Sequence, residues 1–423
     1  MISPTAWVAS RVGTFRRRAP RPTAPTPEAR VADLDGLRGL AILAVVAVHS
    51  TAAVIGLIQQ GYPIARVDGL LYVALHAGWV GVDLFFVLSG YLITGILLKA
   101  KGQPGYYRNF YARRALRIMP LYYGVLLARL ALSRVAGPWW LAVNPDEWVA
   151  HALYVGNFWQ CHARTTGTAF DAGGLHVCWS LAVEEQFYLV WPVVVALASR
   201  AWLWRVCAAG VVAAVACRWG LAAARFDYWF TYTLPFCRMD GLLLGALVAL
   251  AATSGLSART LARGAWAVLA LAAAGLVGVW VANGGPYLTG RTMTIIGFTV
   301  VDLFFAAALA LVVAGQPAGW RVLRFRPLVL VGTHSYAVYL VHFPVILCAF
   351  ALLGTDAARG VLLPVCEAVG SSLPLYLAWA AVVVGASLLI ARVTWVLIER
   401  PCLGLKRFFP QRSGPAGTRT PPE

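Results

Sequence analysis

The chain has 423 residues, of which 60% are hydrophobic and only 12% are charged, and its mean hydropathy is +0.72. A soluble domain carries about a quarter charged residues, so this composition excludes an ordinary water-soluble fold. The net charge of +18 does not indicate a nucleic-acid-binding protein, because the basic residues lie between apolar stretches rather than on one soluble surface. We therefore predict an all-α integral membrane protein in a lipid bilayer.

Ten apolar stretches are long enough to cross the ~30 Å hydrocarbon core of a bilayer as helices. The third and the fifth are the least regular, because Arg129 and Arg218 interrupt them. In chain order the predicted spans cover residues 36–57, 78–98, 118–135, 177–198, 204–223, 234–252, 264–282, 293–314, 328–350 and 373–397.

The distribution of Lys and Arg predicts which side of the membrane each loop faces. Most of the 35 basic residues fall in the two terminal segments and in alternate loops, and the other loops hold single arginines. This alternation predicts cytoplasmic termini, and we expect a multi-pass protein of the inner (plasma) membrane. The arginines among Pro and Thr predict a disordered basic tail over 1–30, ahead of a transmembrane domain over 31–401, and the basic residues among Pro and Gly predict a cytoplasmic C-terminal tail over 402–423.

The longest predicted outer loop covers residues 136–176. Its second half lies between two cysteines, Cys161 within the loop and Cys178 just after it. In an oxidising exterior compartment these two residues can form a disulfide. The alternative is a pair of unpaired thiols, and the sequence is compatible with both.

Several ionisable residues fall inside the predicted spans, where an unpaired charge costs several kcal/mol. Such residues are candidates for function, and the alternative is that they form ion pairs that hold the bundle together. They are Arg38, His49, Asp83, Glu184, Glu185, Arg238, Asp240, Asp302, His342 and Arg392.

Helix geometry predicts that three of these residues lie at one depth. Arg38 and His49 are eleven residues apart, which returns them to nearly the same helix face about 16 Å apart along the axis. Counted from the ends of their own spans, Glu185 and His342 fall at the level of His49. We therefore predict an active centre built from these three side chains.

Seven segments together resemble the acyltransferase 3 family. They occur in family order and cover most of residues 33–401. The segments are LDGLRGLAILAVVAVH at 34–49, GVDLFFVLSGYLIT at 81–94, FYARRALRIMPLYY at 110–123, WSLAVEEQFYLVWP at 179–192, CRMDGLLLG at 237–245, SYAVYLVHFP at 335–344 and IERP at 398–401.

The resemblance implies a ten-span enzyme that O-acylates carbohydrates or related hydroxyl compounds, usually with acetyl-CoA as donor. It places functional residues of the family at Arg38 and His49, at Arg114 and Arg117, and at Glu185 with Glu184 beside it. Some relatives carry an extra soluble domain after the bundle. We expect none here, because the chain ends soon after the last predicted span.

Acyl transfer to a hydroxyl needs a base, and His49 suits that role because imidazole titrates near neutral pH. Glu185 would orient it. The alternative is that His49 binds substrate or carries the acyl group for a time.

The arginines at 113, 114 and 117 match the phosphates of CoA, or else anchor the chain to anionic lipid. Arg38 can pair with Asp35 or extend the donor site. No metal-ligand spacing is present.

Other candidates have weaker support. Arg238 and Asp240 are predicted to be structural or to lie on the acceptor side. Tyr336, Tyr339 and His342 share one helix face and could line a cavity. Gly81, Ser89 and Gly90 are predicted to pack at a helix interface, with Asp83 as a structural carboxylate.

Two other functions fit parts of this pattern. A transporter or flippase of a glycolipid or an acyl group would also have many spans with buried charges. An antibiotic-tailoring acyltransferase acting on a small molecule of the macrolide type is a narrower version of the enzyme. The buried histidine combined with the arginine cluster favours an enzyme over a transporter.

Overall fold

The computed structural model describes residues 27–59, 65–135, 144–168, 174–285, 288–315, 318–353 and 355–410. Within these ranges the chain forms helices and turns, without a strand. The α-helices are α1 Pro27–Gln59, α2 Arg66–His76, α3 Val80–Ala100, α4 Tyr106–Val135, α5 Pro145–Ala152, α6 Gly156–Thr166, α7 Trp179–Leu197, α8 Arg200–Ala223, α9 Tyr228–Thr233, α10 Pro235–Ala252, α11 Ala258–Asn283, α12 Phe298–Val313, α13 Arg326–Thr333, α14 Ser335–Leu353, α15 Asp356–Val369, α16 Leu373–Thr394 and α17 Arg400–Gly404.

Ten helical segments of the described chain are long and apolar enough to cross a membrane, which confirms the predicted number of spans. They are Ala32–Thr51, Leu71–Ala100, Tyr106–Arg134, Leu175–Leu197, Arg200–Ala223, Tyr228–Ala252, Ala258–Asn283, Met293–Val313, Ser335–Leu352 and Leu373–Phe408. The third and the tenth are longer than predicted, because their charged ends continue the helix instead of stopping it.

The predicted terminal tails lie mostly outside the described residues. Residues 27–30, which the sequence places in the N-terminal tail, form the first turn of α1. Residues 402–408 of the predicted C-terminal tail are also helical. The cytoplasmic location of both termini stays a prediction.

Helix α1 is central to the bundle and contacts α3, α13, α14 and α16. A second close packing joins α3 to α10, where glycines let the two backbones approach. A Cβ added at Gly90 would collide with the carbonyl of Leu242, and one at Gly245 would collide with the carbonyl of Val87. Gly81 is likewise pressed against the Ala41 carbonyl on α1. The predicted small-residue interface is therefore confirmed at Gly81 and Gly90.

Two ion pairs in the core are fully buried. Arg238 donates from Nη2 to Oδ1 of Asp83 at 2.6 Å, and Arg218 contacts Oδ2 of Asp240 at 2.9 Å. Thr299 donates to the same Asp240 oxygen at 2.6 Å. These contacts give Asp83, Arg238 and Asp240 a structural role, and neither Arg238 nor Asp240 lines the cavities described below.

The two cysteines of the predicted outer segment do not form a disulfide in the structure. Both side chains are buried, but in different apolar clusters. Cys161 packs with Leu234 and Cys237, whereas Cys178 lies in the main core.

The Arg238–Asp83 pair gives a test of this core. We expect Arg238→Leu to lower the free energy of unfolding by about 3–5 kcal/mol, because it leaves Asp83 buried without its partner. The double variant Asp83→Leu/Arg238→Leu should recover most of that loss. Thermal unfolding of the detergent-solubilised protein measures both, with Leu271→Ala on the 74% exposed surface of α11 as control. A double variant as unstable as the single one would contradict this reading.

Candidate functional site

Two neighbouring cavities lie among the described helices. The first, the arginine cavity, has a volume of about 130 Å³, and its lining includes Arg38, Ser89, Arg114, Arg117, Glu184 and Tyr336. The second, the histidine cavity, has a volume of about 220 Å³, and its lining includes His49, His76, Trp79, His176, Trp229 and Tyr232.

Tyr339 on α14 lines both cavities and forms the wall between them. Its hydroxyl donates to the carbonyl of Val177. Because that carbonyl only accepts, the Ser180 hydroxyl donates to the Tyr339 oxygen, at 2.7 Å. These bonds tie the wall to the start of α7.

Helix α1 carries one candidate side chain to each cavity. Arg38 lines the arginine cavity and His49 lines the histidine cavity. Their spacing of eleven residues corresponds to about 16 Å along the helix axis. The two cavities therefore occupy successive depths of the bundle.

His49 is hydrogen-bonded to a second histidine. Its Nδ1 lies 2.8 Å from Nε2 of His342, so the predicted meeting of these two residues is confirmed. The other nitrogen of His342, Nδ1, lies 2.7 Å from the carbonyl oxygen of Tyr339.

This geometry fixes which nitrogens carry hydrogen when both rings are neutral. A carbonyl oxygen can only accept, so Nδ1 of His342 carries the hydrogen and its Nε2 is an acceptor. Nδ1 of His49 must then donate to His342, which leaves Nε2 of His49 as an acceptor. His49 is thus held with its basic nitrogen unprotonated.

Glu185 is not the side chain that contacts His49, although the sequence suggested it as the orienting carboxylate. Its nearest charged neighbours are Arg114 and Glu184, and its Oε1 is buried without a hydrogen-bond partner among the described residues. Tyr154 also lies near Glu185, and burial together with this carboxylate raises the pKa of the Tyr154 hydroxyl. Glu185 therefore belongs with the arginines rather than with the histidines.

Arg114 on α4 lines the arginine cavity. Its guanidinium stacks on the ring of Tyr188 at 4.2 Å. Its Nε is buried and has no hydrogen-bond partner within the described ranges. Glu184 accepts from Tyr188 at 2.7 Å and from Ser89 at 3.1 Å. The unused Nε leaves Arg114 with a donor to spare.

Arg117 and Arg38 complete the charge of this cavity. Arg117 lies 3.6 Å from Glu399, and Arg38 donates to Asp35 at 2.9 Å, as predicted. The lining thus presents three guanidinium groups against the one carboxylate of Glu184. Tyr336, another candidate, also lines it and donates to the Ile118 carbonyl at 2.6 Å.

Arg113 is separated from the other arginines of its cluster. It donates to the carbonyls of Lys406 at 3.2 Å and Phe409 at 3.1 Å, and it does not line the arginine cavity. Adjacent residues on a helix point about 100° apart. Arg113 therefore holds the C-terminal segment, while Arg114 faces inward.

Several residues of the histidine cavity are not among the candidates from the sequence. His76 ends α2 and Trp79 directly precedes α3, while His176 precedes α7 and Trp179 is its first residue; all four line this cavity. Both pairs have the spacing His-x-x-Trp and lie near the start of the spans Leu71–Ala100 and Leu175–Leu197. This repeated spacing is the signal that could have identified them.

No metal site is formed by the described residues: no group of three or more His, Cys, Asp or Glu side chains among them is placed to hold an ion.

Comparison with known proteins identifies related chains. The family model described as "Acyltransferase domain" matches residues 31–396. The chain is 30% identical over 358 residues to a peptidoglycan O-acetyltransferase of Listeria monocytogenes, covering 77% of this chain and 51% of the relative.

A putative peptidoglycan O-acetyltransferase of Bacillus subtilis is 30% identical over 293 residues, covering 64% of this chain and 44% of the relative. An O-acetyltransferase of Staphylococcus aureus is 26% identical over 301 residues, covering 64% and 46%. The chain spans about half the length of these curated relatives. No solved structure matches it.

The position of Arg113 predicts the effect of its removal. We expect Arg113→Ala to speed tryptic cleavage after the exposed Arg407 severalfold, because the C-terminal segment loses two of the hydrogen bonds that hold it to α4. Limited proteolysis followed by mass spectrometry measures the rate. Arg205→Ala on α8 is the matched control, and equal cleavage rates in the two variants would contradict the prediction.

Proposed function

The chain belongs to the acyltransferase domain family, and from that premise we propose that it is a membrane O-acyltransferase. It transfers an acyl group, in the first instance acetyl, from acyl-CoA to a hydroxyl of a carbohydrate or glycan precursor. The observation that supports this most directly is the His49–His342 pair, which leaves a basic imidazole nitrogen on a residue that lines a cavity.

His49 acts as the general base. The acceptor hydroxyl gives its proton to Nε2 of His49 while its oxygen attacks the thioester carbonyl carbon. The carbon–sulfur bond then breaks, and the proton passes from His49 to the departing thiolate. Proton transfer by a positioned histidine contributes typically 10²–10⁴-fold to the rate.

His342 positions His49 and does not itself contact the reacting atoms. Its Nε2 accepts the Nδ1 hydrogen of His49, and it stabilises the imidazolium that forms when His49 takes the proton. This is the role of the orienting group in other base–orienter pairs. Here a neutral imidazole, fixed by the carbonyl of Tyr339, replaces a carboxylate.

The arginine cavity receives the donor. Arg38, Arg114 and Arg117 line it and supply guanidinium groups that match phosphate oxygens. Glu184 and Glu185 balance the charge of Arg114. The cavity of about 130 Å³ is small, so most of the coenzyme lies outside, and its flexible arm reaches His49 past Tyr339.

The acceptor class comes from the relatives, two of which are described as peptidoglycan O-acetyltransferases. A glycan hydroxyl is therefore the first acceptor to test. A macrolide-type sugar is the second, since it presents the same chemical group. The alternative of a transporter predicts solute movement without transfer of an acyl group.

Replacement of the proposed general base, His49, tests the proposed acyltransferase function. With radiolabelled acetyl-CoA and soluble glycan fragments, we expect His49→Ala to reduce acetyl transfer by about 10²–10⁴-fold. His342→Gln should retain more activity than His342→Ala, because a side-chain amide oxygen can still accept the Nδ1 hydrogen of His49. Full transfer by His49→Ala, or solute uptake without any transfer, would refute the proposal.

The arginine cavity provides a second prediction. We expect Arg114→Ala to raise the KM for acetyl-CoA by about tenfold to a hundredfold, since a hydrogen bond to a charged group contributes about 1.5–3 kcal/mol. The KM for the acceptor should change little. Initial-rate kinetics with each substrate varied separately measure the two constants, with Arg205→Ala as control. A rise confined to the acceptor KM would show that this cavity does not bind the donor.

A further inference from the structure

The histidine cavity differs chemically from the arginine cavity. Its lining contains rings of Trp and Tyr together with three imidazoles, and it contains no Arg or Lys among the described residues. Phosphate groups need cationic or backbone donors, so this wall does not suit the nucleotide end of a coenzyme. It suits a neutral ligand with apolar faces and hydroxyl groups.

The two His-x-x-Trp segments build this wall from one end of the bundle. His76 ends α2 and Trp79 lies in the turn that leads into α3. His176 lies in the turn that leads into α7, and Trp179 is the first residue of that helix. Helices α3 and α7 pack against each other. Each helix runs from its turn toward the arginine cavity, which is lined by Ser89 of α3 and Glu184 of α7. The two turns therefore lie at the same end of the bundle. The cavity therefore lies near the end of the bundle opposite the arginines.

Trp229 is the partly exposed tryptophan of this wall, whereas Trp79 and Trp179 are 5% and 4% exposed. Its Nε1 donates to Oε1 of Gln160 at 3.2 Å, which fixes the plane of the indole. The guanidinium of Arg164 lies over this indole, 4.9 Å from the ring centroid, so a ring that enters the cavity would stack on the other face.

We propose that the histidine cavity is the acceptor subsite and binds one saccharide unit, stacked on Trp229, entering from the end of the bundle opposite the arginine cavity. This inference rests on the proposed acyltransferase function. The volume of about 220 Å³ equals that of about seven water molecules, which accommodates one sugar ring but not a chain. The rest of a glycan would remain outside the bundle.

The kinetic test uses acetyl-CoA as donor and soluble N-acetylglucosamine oligosaccharides as the acceptor probe. We expect Trp229→Ala to raise the acceptor KM about tenfold and to leave the donor KM unchanged, while Trp229→Phe restores most of the affinity by keeping a flat ring. Trp219→Ala, a 60% exposed tryptophan on α8, is the control. An unchanged acceptor KM, or a raised donor KM, overturns the proposal.

A binding test separates failure of this subsite from failure of the enzyme. Leu288→Cys, a variant at a partly exposed residue of the same cavity that keeps Trp229 in place, is labelled with a membrane-impermeant maleimide in intact cells, against the wild-type background, with and without the oligosaccharide. Labelling that the oligosaccharide prevents supports a saccharide subsite facing the exterior, even where no acetyl transfer occurs and the enzyme proposal fails. If the oligosaccharide does not slow labelling, or if no labelling occurs from outside, the proposed saccharide subsite is wrong. The enzyme proposal is unaffected by either result.

Discussion

A charged side chain in the hydrocarbon core of a membrane must find a partner, because leaving it unpaired costs several kcal/mol. This constraint separates two kinds of buried ionisable residue. Arg218 pairs with Asp240 and Arg238 pairs with Asp83, all fully buried, so these pairs stabilise the bundle. Arg114 instead lines a cavity together with Arg38 and Arg117, where we propose that an anionic donor binds.

The constraint does not apply to a neutral histidine, because a neutral imidazole carries no charge. The carbonyl of Tyr339 fixes the hydrogen of His342, and His342 in turn fixes the hydrogen of His49. A chain of two hydrogen bonds thus leaves Nε2 of His49 as an acceptor without a carboxylate hydrogen-bonded to the ring. Helix α14 carries both His342 and Tyr339, so the packing of α14 against α1 sets the orientation of His49 and the separation of the two cavities together.

The two cavities divide the chemistry that an acyl transfer requires. Guanidinium groups lie on one side of Tyr339, and aromatic rings with imidazoles lie on the other. Donor and acceptor, which differ most in charge, would then approach from opposite ends and meet at His49. On the proposed function, this division keeps the anionic coenzyme and the neutral sugar in separate pockets of one bundle.

The sequence by itself determined the membrane fold and the number of spans. Each span must satisfy its backbone hydrogen bonds internally in lipid, so length and hydropathy are sufficient to find it. The spacing of Arg38 and His49 on one helix also followed from the sequence, because helix geometry is local. Counting along each helix also predicted that His342 lies level with His49, and the two rings are hydrogen-bonded.

Only the tertiary structure decided which side chains meet. Glu184 and Glu185, or Arg113 and Arg114, differ by one position, but one position turns a side chain by about 100°. Which of them faces the interior depends on how the helix is rotated against its neighbours. The same holds for the two His-x-x-Trp segments, which lie about 100 residues apart and share a cavity because α3 and α7 pack together. A linear pattern gives depth along one helix, whereas rotation and lateral neighbours come from packing.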